Sequence, residues 1–515
     1  MNNVHVVPNL FIGIDVGTSS TKAILVDSQG KSLATSRQEY PMYRPYPGWA
    51  ENNPDDWVRA VENCIHTLIR NSQVESTNIK GLCIVAQRDP VVLLDEHYRV
   101  LAPSISWTDR RDLKETFQVY DEFGQEKLIK TTGLIPVPGL TLPNVYWVRR
   151  HKPEIWKKTH KILSTKDYIL FRLTGKIATD VSTPSRSMLY SIKRKEWAEW
   201  ICEKAQIDVG LLPPISYQPW DIWEELSKSS ATRLGLQPGT ILAAGGGDDP
   251  AAVLGAGAII VGDIVIGTGT AACLRVITNK TEPDLKGLAD LSPHVIPNLF
   301  IYEFVIAGTG TSLRWFKTNF GDRITGEGVT YEKLLDEASQ IPPGSNGLFF
   351  YPYIEGARAP YYNANATGVF FGIQAHHTYA HFVRSIIEGI AFQYPPTLKL
   401  VLQYSKKRPN SLIIVDDEAK NLLWNQLKSD VLGMKIKTPK ILYAAAMGAA
   451  ILAALASKVY TNPSLAVQQM IKYDNEYYPE LTKHKIYNTI RKKYEQIYRI
   501  IEKAYQIDET QHIYK

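Results

Sequence analysis

Cysteine is scarce, with four in 515 residues, at Cys64, Cys83, Cys202 and Cys273. None falls in a C-x-x-C or beside a His-x-x-His, which argues against a zinc site or disulfide framework and for a reducing, cytoplasmic setting. No basic-then-apolar leader opens the sequence, so export by a signal peptide is not expected. The longest apolar run, Ala444 to Ala456, is 13 residues, short of the roughly 20 that span a bilayer. Apolar on every side, it reads as a helix buried between layers. No sign of charge dominates: 58 Lys and Arg against 52 Asp and Glu leave +6, spread along the chain, so neither nucleic acid nor membrane is an expected partner. Some of that charge lies in Lys483–Lys493, but there Ile486, Ile490, Tyr494, Ile497 and Ile501 recur at the spacing of a docked amphipathic helix. The G-x-x-x-x-G-K-[ST] phosphate loop is missing, and so is a strand-linked G-x-G-x-x-G.

What is present is an ordinary globular composition, 44% hydrophobic and 21% charged, long enough for two to four domains at roughly 100–200 residues each. Leu10–Asp27 runs apolar to Asp15, turns through Gly17-Thr18-Ser19-Ser20, and runs apolar again, the pattern of a β-hairpin. Asp263–Thr278 repeats it around Gly267-Thr268, 250 residues downstream. One supersecondary unit used twice predicts two related α/β domains. Strand-like runs (GLCIVA, VVLL, ILAA, LIIV) alternate with helical stretches such as Pro54–Ile69 and Phe382–Leu402, as in mixed or parallel sheets covered by helices. The boundary is expected near Ala243–Gly257, giving domains 9–253 and 254–506. Asp248 there follows a strand and a glycine run, where α/β sheets bind ligands.

Turns rich in glycine and hydroxyls make phosphate cradles. In Gly17–Lys22 the glycine permits close approach, Thr18, Ser19 and Ser20 can donate, and Lys22 brings a cation. Asp15 at the strand end suits a hydrated Mg²⁺, which keeps most of its waters. Phosphoryl transfer further needs a base for the acceptor hydroxyl, and Asp248 and Asp249 are adjacent carboxylates in a suitable place, although a helix N-cap would use them equally well. Gln87-Arg88-Asp89 and Trp107-Thr108-Asp109-Arg110-Arg111 each follow an apolar run. Charged groups with a flat ring nearby are the means of gripping a polyol.

Assembled, these residues resemble the FGGY carbohydrate kinases over roughly 10–505. IGIDVGTSSTKAILVD is similar to the family's first phosphate motif and IGTGT to its second. GWAENNPDDW and WTDRRD are similar to its substrate-domain landmarks, and GGGDDPAAVLGAG to its GGGD segment. PYIEGARAP and GVFFGIQAHHTYAHFVRSIIE are similar to its C-terminal signature. The resemblance implies an α/β fold of two actin-like (ribonuclease-H-like) domains, with ATP and sugar in a cleft between them. It further implies Asp248 as general base and Asp15 holding the metal. Gly17, Thr18, Ser19, Lys22, Gly267, Thr268, Gly310 and Asn421 would lie along the nucleotide, and Arg88, Asp89, Trp107 and Asp249 around the sugar.

The expected activity is ATP- and Mg²⁺-dependent phosphorylation of a small sugar, a ketopentose such as xylulose or a related polyol. The rival expectation is a catalytically weak homologue that binds sugar without efficient ATP turnover. Asp416-Asp417-Glu418-Ala419 stands where the family has GGGA, Tyr443 where it has Glu, and Asn144 where it has Lys. Three carboxylates facing a polyanion repel it unless they turn outward. Arg88-Asp89 is closer to the Gln-Arg-Glu of glycerol kinases than to the Gln-Met-His of xylulokinases, which leaves the sugar open. Oligomeric state is open too, a homodimer being one expectation.

Overall fold

Leu10–Val16 (β1) and Ser20–Asp27 (β2) pair antiparallel from Leu10 opposite Asp27 to Val16 opposite Thr21, so the first hairpin forms as its pattern predicts. The computed structural model describes residues 9–268, 271–321, 328–405 and 407–505. They form two compact units, and these are not contiguous halves. The first runs through Ile260 and takes in Ile277–Ile301 and Tyr443–Lys472; the second comprises Val261–Val276, Tyr302–Leu442 and the chain from Tyr473.

The first unit is built on a six-stranded sheet. After β2 come Ser32–Glu39 (β3), Ile79–Ala86 (β4), Ile222–Glu225 (β5) and Ile241–Ala243 (β6), in the order β5-β6-β4-β1-β2-β3. β1, β4 and β6 run parallel to one another, and β5 closes the edge antiparallel. Parallel strands are covered on both faces. On one side lies helix α1, Pro54–Ser72, which starts where the Asn53 side chain accepts from the Asp55 amide and buries Trp57, Val61, Cys64, Ile65 and Leu68. Each such aliphatic side chain contributes about 1.5–3 kcal/mol when buried. Thr165–Thr174 (α2) is capped by Ser164, and Asp248–Gly255 (α3) follows β6. The apolar run Ala444–Ala456 is a buried helix, α4, packed on β1, β4 and α3. Its small residues let backbones meet: a Cβ added at Gly13 of β1 would lie 1.9 Å from the Ala446 carbonyl oxygen, and one at Gly448 1.9 Å from that of Ala251.

The second unit repeats the plan. The strands of its main sheet include Ile264–Thr268 (β7), Ala272–Thr278 (β8), Phe300–Ile306 (β9), Leu412–Asp416 (β10), Ile436–Pro439 (β11) and Tyr473–Tyr477 (β12), which follow one another in the order β9-β8-β7-β10-β11-β12. The β7–β8 hairpin is antiparallel, β7, β10 and β11 are parallel, and β12 closes the edge antiparallel. Two details differ from expectation. The stretch Phe382–Leu402 is two helices, Tyr379–Ala391 and Tyr394–Ser405, because Pro395 and Pro396 suit a first turn and not an interior. The C-terminal helix, Leu481–Tyr505, docks through Tyr487, Tyr494, Ile497 and Tyr498 and leaves Ile486 exposed. Large aromatic rings outweigh isoleucines in choosing the buried face.

Gly448→Ala is expected to destabilise the protein by about 1–3 kcal/mol, since α3 and α4 must separate to admit the methyl. A lower urea midpoint at unchanged slope checks this, and an unchanged midpoint contradicts it.

Candidate active site

Where β1, β4 and β6 end, three chemically active groups come together. Asp15 is the penultimate residue of β1 and half-buried. Arg88 follows β4 by two residues and is buried. Asp248 opens α3 just after β6, with Gly247 as its N-cap residue. Arg88 Nη2 lies 3.0 Å from Asp249 Oδ2, and its Nε lies 4.0 Å from Asp248 Oδ1. Nη1 donates to Ser185 Oγ at 3.2 Å. A Cβ at Gly247 would fall 2.3 Å from Arg88 Cδ, so the arginine can cross here only because the residue is glycine.

The Asp248 side chain keeps 26% of its exposure, open enough for a ligand and enclosed enough to disfavour its charge. Burial, joined by repulsion from Asp249 and Asp15, pushes its carboxyl up to about 8, with Arg88 opposing. The repulsion that Asp249 and Asp15 exert on Asp248 is what a divalent cation at this place would relieve. Among the described residues no cluster of three or more His, Cys, Asp or Glu is arranged to hold a metal ion. What the site offers Mg²⁺ is the Asp15 carboxylate, which suits an ion that retains its waters.

The turn Gly17–Lys22 is tied to the Trp107 segment. Trp107, 45% exposed, donates its indole N–H to Thr18 Oγ1 at 2.8 Å. As an acceptor there, the Thr18 hydroxyl keeps its own proton to donate, the polarity a phosphate oxygen needs. Ser19 is exposed, and the Tyr40 hydroxyl donates to the Gly17 carbonyl. Lys22 stands opposite Asp15 in the hairpin register, its ammonium 5.6 Å from the Tyr443 ring.

Asp89 is half-buried and paired with Arg186 Nε at 2.9 Å, while Arg186 Nη1 reaches Asp290 at 2.9 Å. Neither Arg186 nor Asp290 carries a local sequence signal, since each becomes visible only through the other across 104 residues. Two other charges of the Trp107–Arg111 segment, Asp109 and Arg111, are not free to grip a polyol. Arg111 is buried between the Trp49 and Trp147 rings and paired with Asp109 and Glu51. These contacts brace the loop that carries Trp107. Asn144 does similar work, donating to the Gly139 carbonyl.

In the second unit, Gly310 lies in the first turn of the helix Thr309–Phe316, an end that attracts anions. Asn421 is the N-cap of Leu422–Leu432, its side chain accepting from the Trp424 amide at 2.8 Å. Gly267 sits in β7 beneath two side chains. A Cβ there would lie 2.4 Å from Arg275 Nη1 and 3.2 Å from Asp416 Oδ2. The Asp416 carboxylate therefore turns to the neighbourhood of a guanidinium. The side chains of Thr268, Asp417 and Glu418 fall outside the described residues.

A repeated hairpin-and-parallel-strand sheet with carboxylates and an arginine at its strand ends defines a two-domain actin-like α/β phosphotransferase. The N-terminal domain of the FGGY family of carbohydrate kinases matches residues 10–255, and that family's C-terminal domain matches 263–457. The chain belongs to the FGGY family and is a carbohydrate kinase. It is 32% identical to the xylulose kinase of Bacillus subtilis over 487 residues, 95% of this chain and 96% of that one. It is 29% identical to the gluconokinase of Bacillus subtilis, with 96% of each chain covered. The structure of a ligand-bound xylulose kinase from Lactobacillus acidophilus superposes with a TM-score of 0.87 at 25% identity, covering 96% of this chain and 99% of that one. Among the described residues no helix is long and apolar enough to cross a membrane.

The ligand-free protein is expected to take up a proton at Asp248 as pH falls through about 8. Asp249→Asn should move that midpoint down, because repulsion is lost and Arg88 is released toward Asp248. Carboxylate infrared difference spectra along a pH titration measure it. Asp112, buried and pushed up to about 7, titrates nearby in both proteins, so the difference between them isolates Asp248. A midpoint unmoved by Asp249→Asn contradicts the assignment.

Proposed function

We propose that the chain transfers the γ-phosphoryl group of ATP to a hydroxyl of a small neutral sugar, a ketopentose such as xylulose or a related polyol, with Asp248 as general base. The observation that carries this is the Asp248 carboxyl itself. It is part-exposed at a helix N-terminus, raised to about 8, and 4.0 Å from an arginine that is buried and held in place. A group poised near the working pH is effective at taking a proton in the transition state. Similarity to xylulose kinase over 95% of the chain supports the sugar class.

In the step itself, Asp248 accepts the proton of the acceptor hydroxyl as that oxygen bonds to the γ-phosphorus and the bond to the ADP oxygen breaks. Arg88 and Asp89 orient the sugar hydroxyls, with the Trp107 ring beside its carbons. Thr18 and Lys22 bind phosphate oxygens. Asp15 would hold Mg²⁺ through its waters, and the ion would supply charge neutralisation for the transferred group.

One observation keeps a second reading in view. Asp416 ends β10 at φ 69°, a left-handed conformation that favours glycine, and it brings a carboxylate where the family places a small neutral residue. On that reading the protein binds sugar and turns ATP over poorly. Steady-state assays with ATP·Mg against xylulose, ribulose, glycerol and gluconate, with calorimetric binding of each acceptor, separate the two. Turnover is expected with a neutral ketopentose or polyol. Sugar binding with no turnover on any acceptor would favour the second reading, and a preference for gluconate would overturn the neutral-substrate assignment.

A further inference from the structure

Behind the Asp248 loop lies a charged cluster that the catalytic reading leaves unused. Lys166, in the first turn of α2, is fully buried, with Nζ 2.9 Å from Asp167 Oδ1, 3.3 Å from Asp180 Oδ1 and 3.2 Å from the Ala244 carbonyl. Burial alone would push its ammonium down, but the two carboxylates more than offset this and hold it above its ordinary value. Asp180, also fully buried, accepts from the amides of Ser182 and Thr183 and from both their hydroxyls. With its proton committed to Asp180, Ser182 Oγ accepts from the amide of Gly247 at 3.1 Å. The same turn continues to Ser185, whose hydroxyl donates to the Ser182 carbonyl at 2.6 Å and accepts from Arg88 at 3.2 Å.

We propose that the turn Asp180–Ser185, anchored on Lys166, is a positioning element for Asp248: through Ser182 it fixes the amide that starts α3, and through Ser185 it fixes the guanidinium facing the carboxylate. The proposal rests on the reading of Asp248 as general base. Two contacts from one rigid turn set both the place of the base and the cation nearest it, so a shift of the turn displaces both together. Small misplacements of reacting groups carry large rate penalties. Lys166 itself makes a poor probe, because removing it would leave buried carboxylates unpaired and threaten the fold. Ser182→Ala removes one hydroxyl and adds no bulk.

The experiment is a double-mutant cycle of Ser182→Ala with Asp248→Asn, assayed with ATP·Mg and the best acceptor. Ser182→Ala is expected to lower kcat about tenfold, with KM for the sugar within about twofold of wild type. In the Asp248→Asn background it should lower kcat no further, because residues acting through one group are not additive. A lower melting temperature with unchanged kcat per folded molecule would make the contact merely structural and overturn the proposal. An equal tenfold loss in both backgrounds would overturn it too, while leaving Asp248 as base. Wild-type turnover in Asp248→Asn alone would remove the reading on which the proposal rests. Should Ser182→Ala not fold, Ser185→Ala, which releases only the Arg88 arm, takes its place in the cycle with the same outcomes.

Discussion

Strands that run parallel and side by side must end at the same edge of their sheet, and the edge shared by β1, β4 and β6 receives Asp15, Arg88 and Asp248. Register brings them into line: Asp15 pairs with Val85, Val16 with Ala86, and Ala86 bridges to Gly247. Neighbouring strands lie about 4.7–4.9 Å apart, so charges on their ends interact whether or not they bond directly. The sheet therefore sets the electrostatics of the site before any ligand enters. It encloses the Asp248 carboxyl and gathers other carboxylates beside it, so burial first and repulsion second disfavour its charge, and Arg88 opposes both without cancelling them. A carboxyl with proton affinity near neutrality is the outcome. That property belongs to the arrangement and not to Asp248 alone.

The second unit obeys the same constraint with different side chains. β7 and β10 run parallel with Thr268 paired to Asp416, so residue 416 occupies a strand end corresponding to that of the first unit. A left-handed non-glycine residue costs roughly 1–2 kcal/mol, and Asp416 adopts that conformation with its carboxylate and the Arg275 guanidinium both above Gly267. Repulsion of a polyanion by three carboxylates holds only where they face it and do not turn outward. For Asp416 a cation does stand nearby, and Arg275 is itself paired with Glu303 at 2.7 Å. Tyr443 shows the same kind of adjustment in the first unit, where the expected carboxylate gives way to a ring near Lys22.

Local patterns were legible in the sequence wherever one segment carried the whole signal. The two hairpins, the strand before Asp248 and the buried helix Ala444–Ala456 are of this kind, because alternation, glycine turns and unbroken apolar runs act within a few residues. Contacts made between distant segments were not legible. The Trp107–Thr18 bond spans 89 residues, and Arg186 joins Asp89 to Asp290 across the first unit. In sequence, Arg111 looks as available to a sugar as Arg88. Only folding shows that two tryptophans and two carboxylates enclose it. The return of Tyr443–Lys472 to the first unit was equally hidden, since an alanine-rich helix fits any narrow gap and names no partner.

The central claim is that the Asp248 carboxylate takes the acceptor proton. The most direct measurement is kcat of Asp248→Asn at saturating ATP·Mg and sugar, beside sugar affinity by calorimetry. A fall in kcat of about 10²–10⁴ with sugar binding retained is the predicted result. Turnover equal to wild type in a folded Asp248→Asn protein would contradict it.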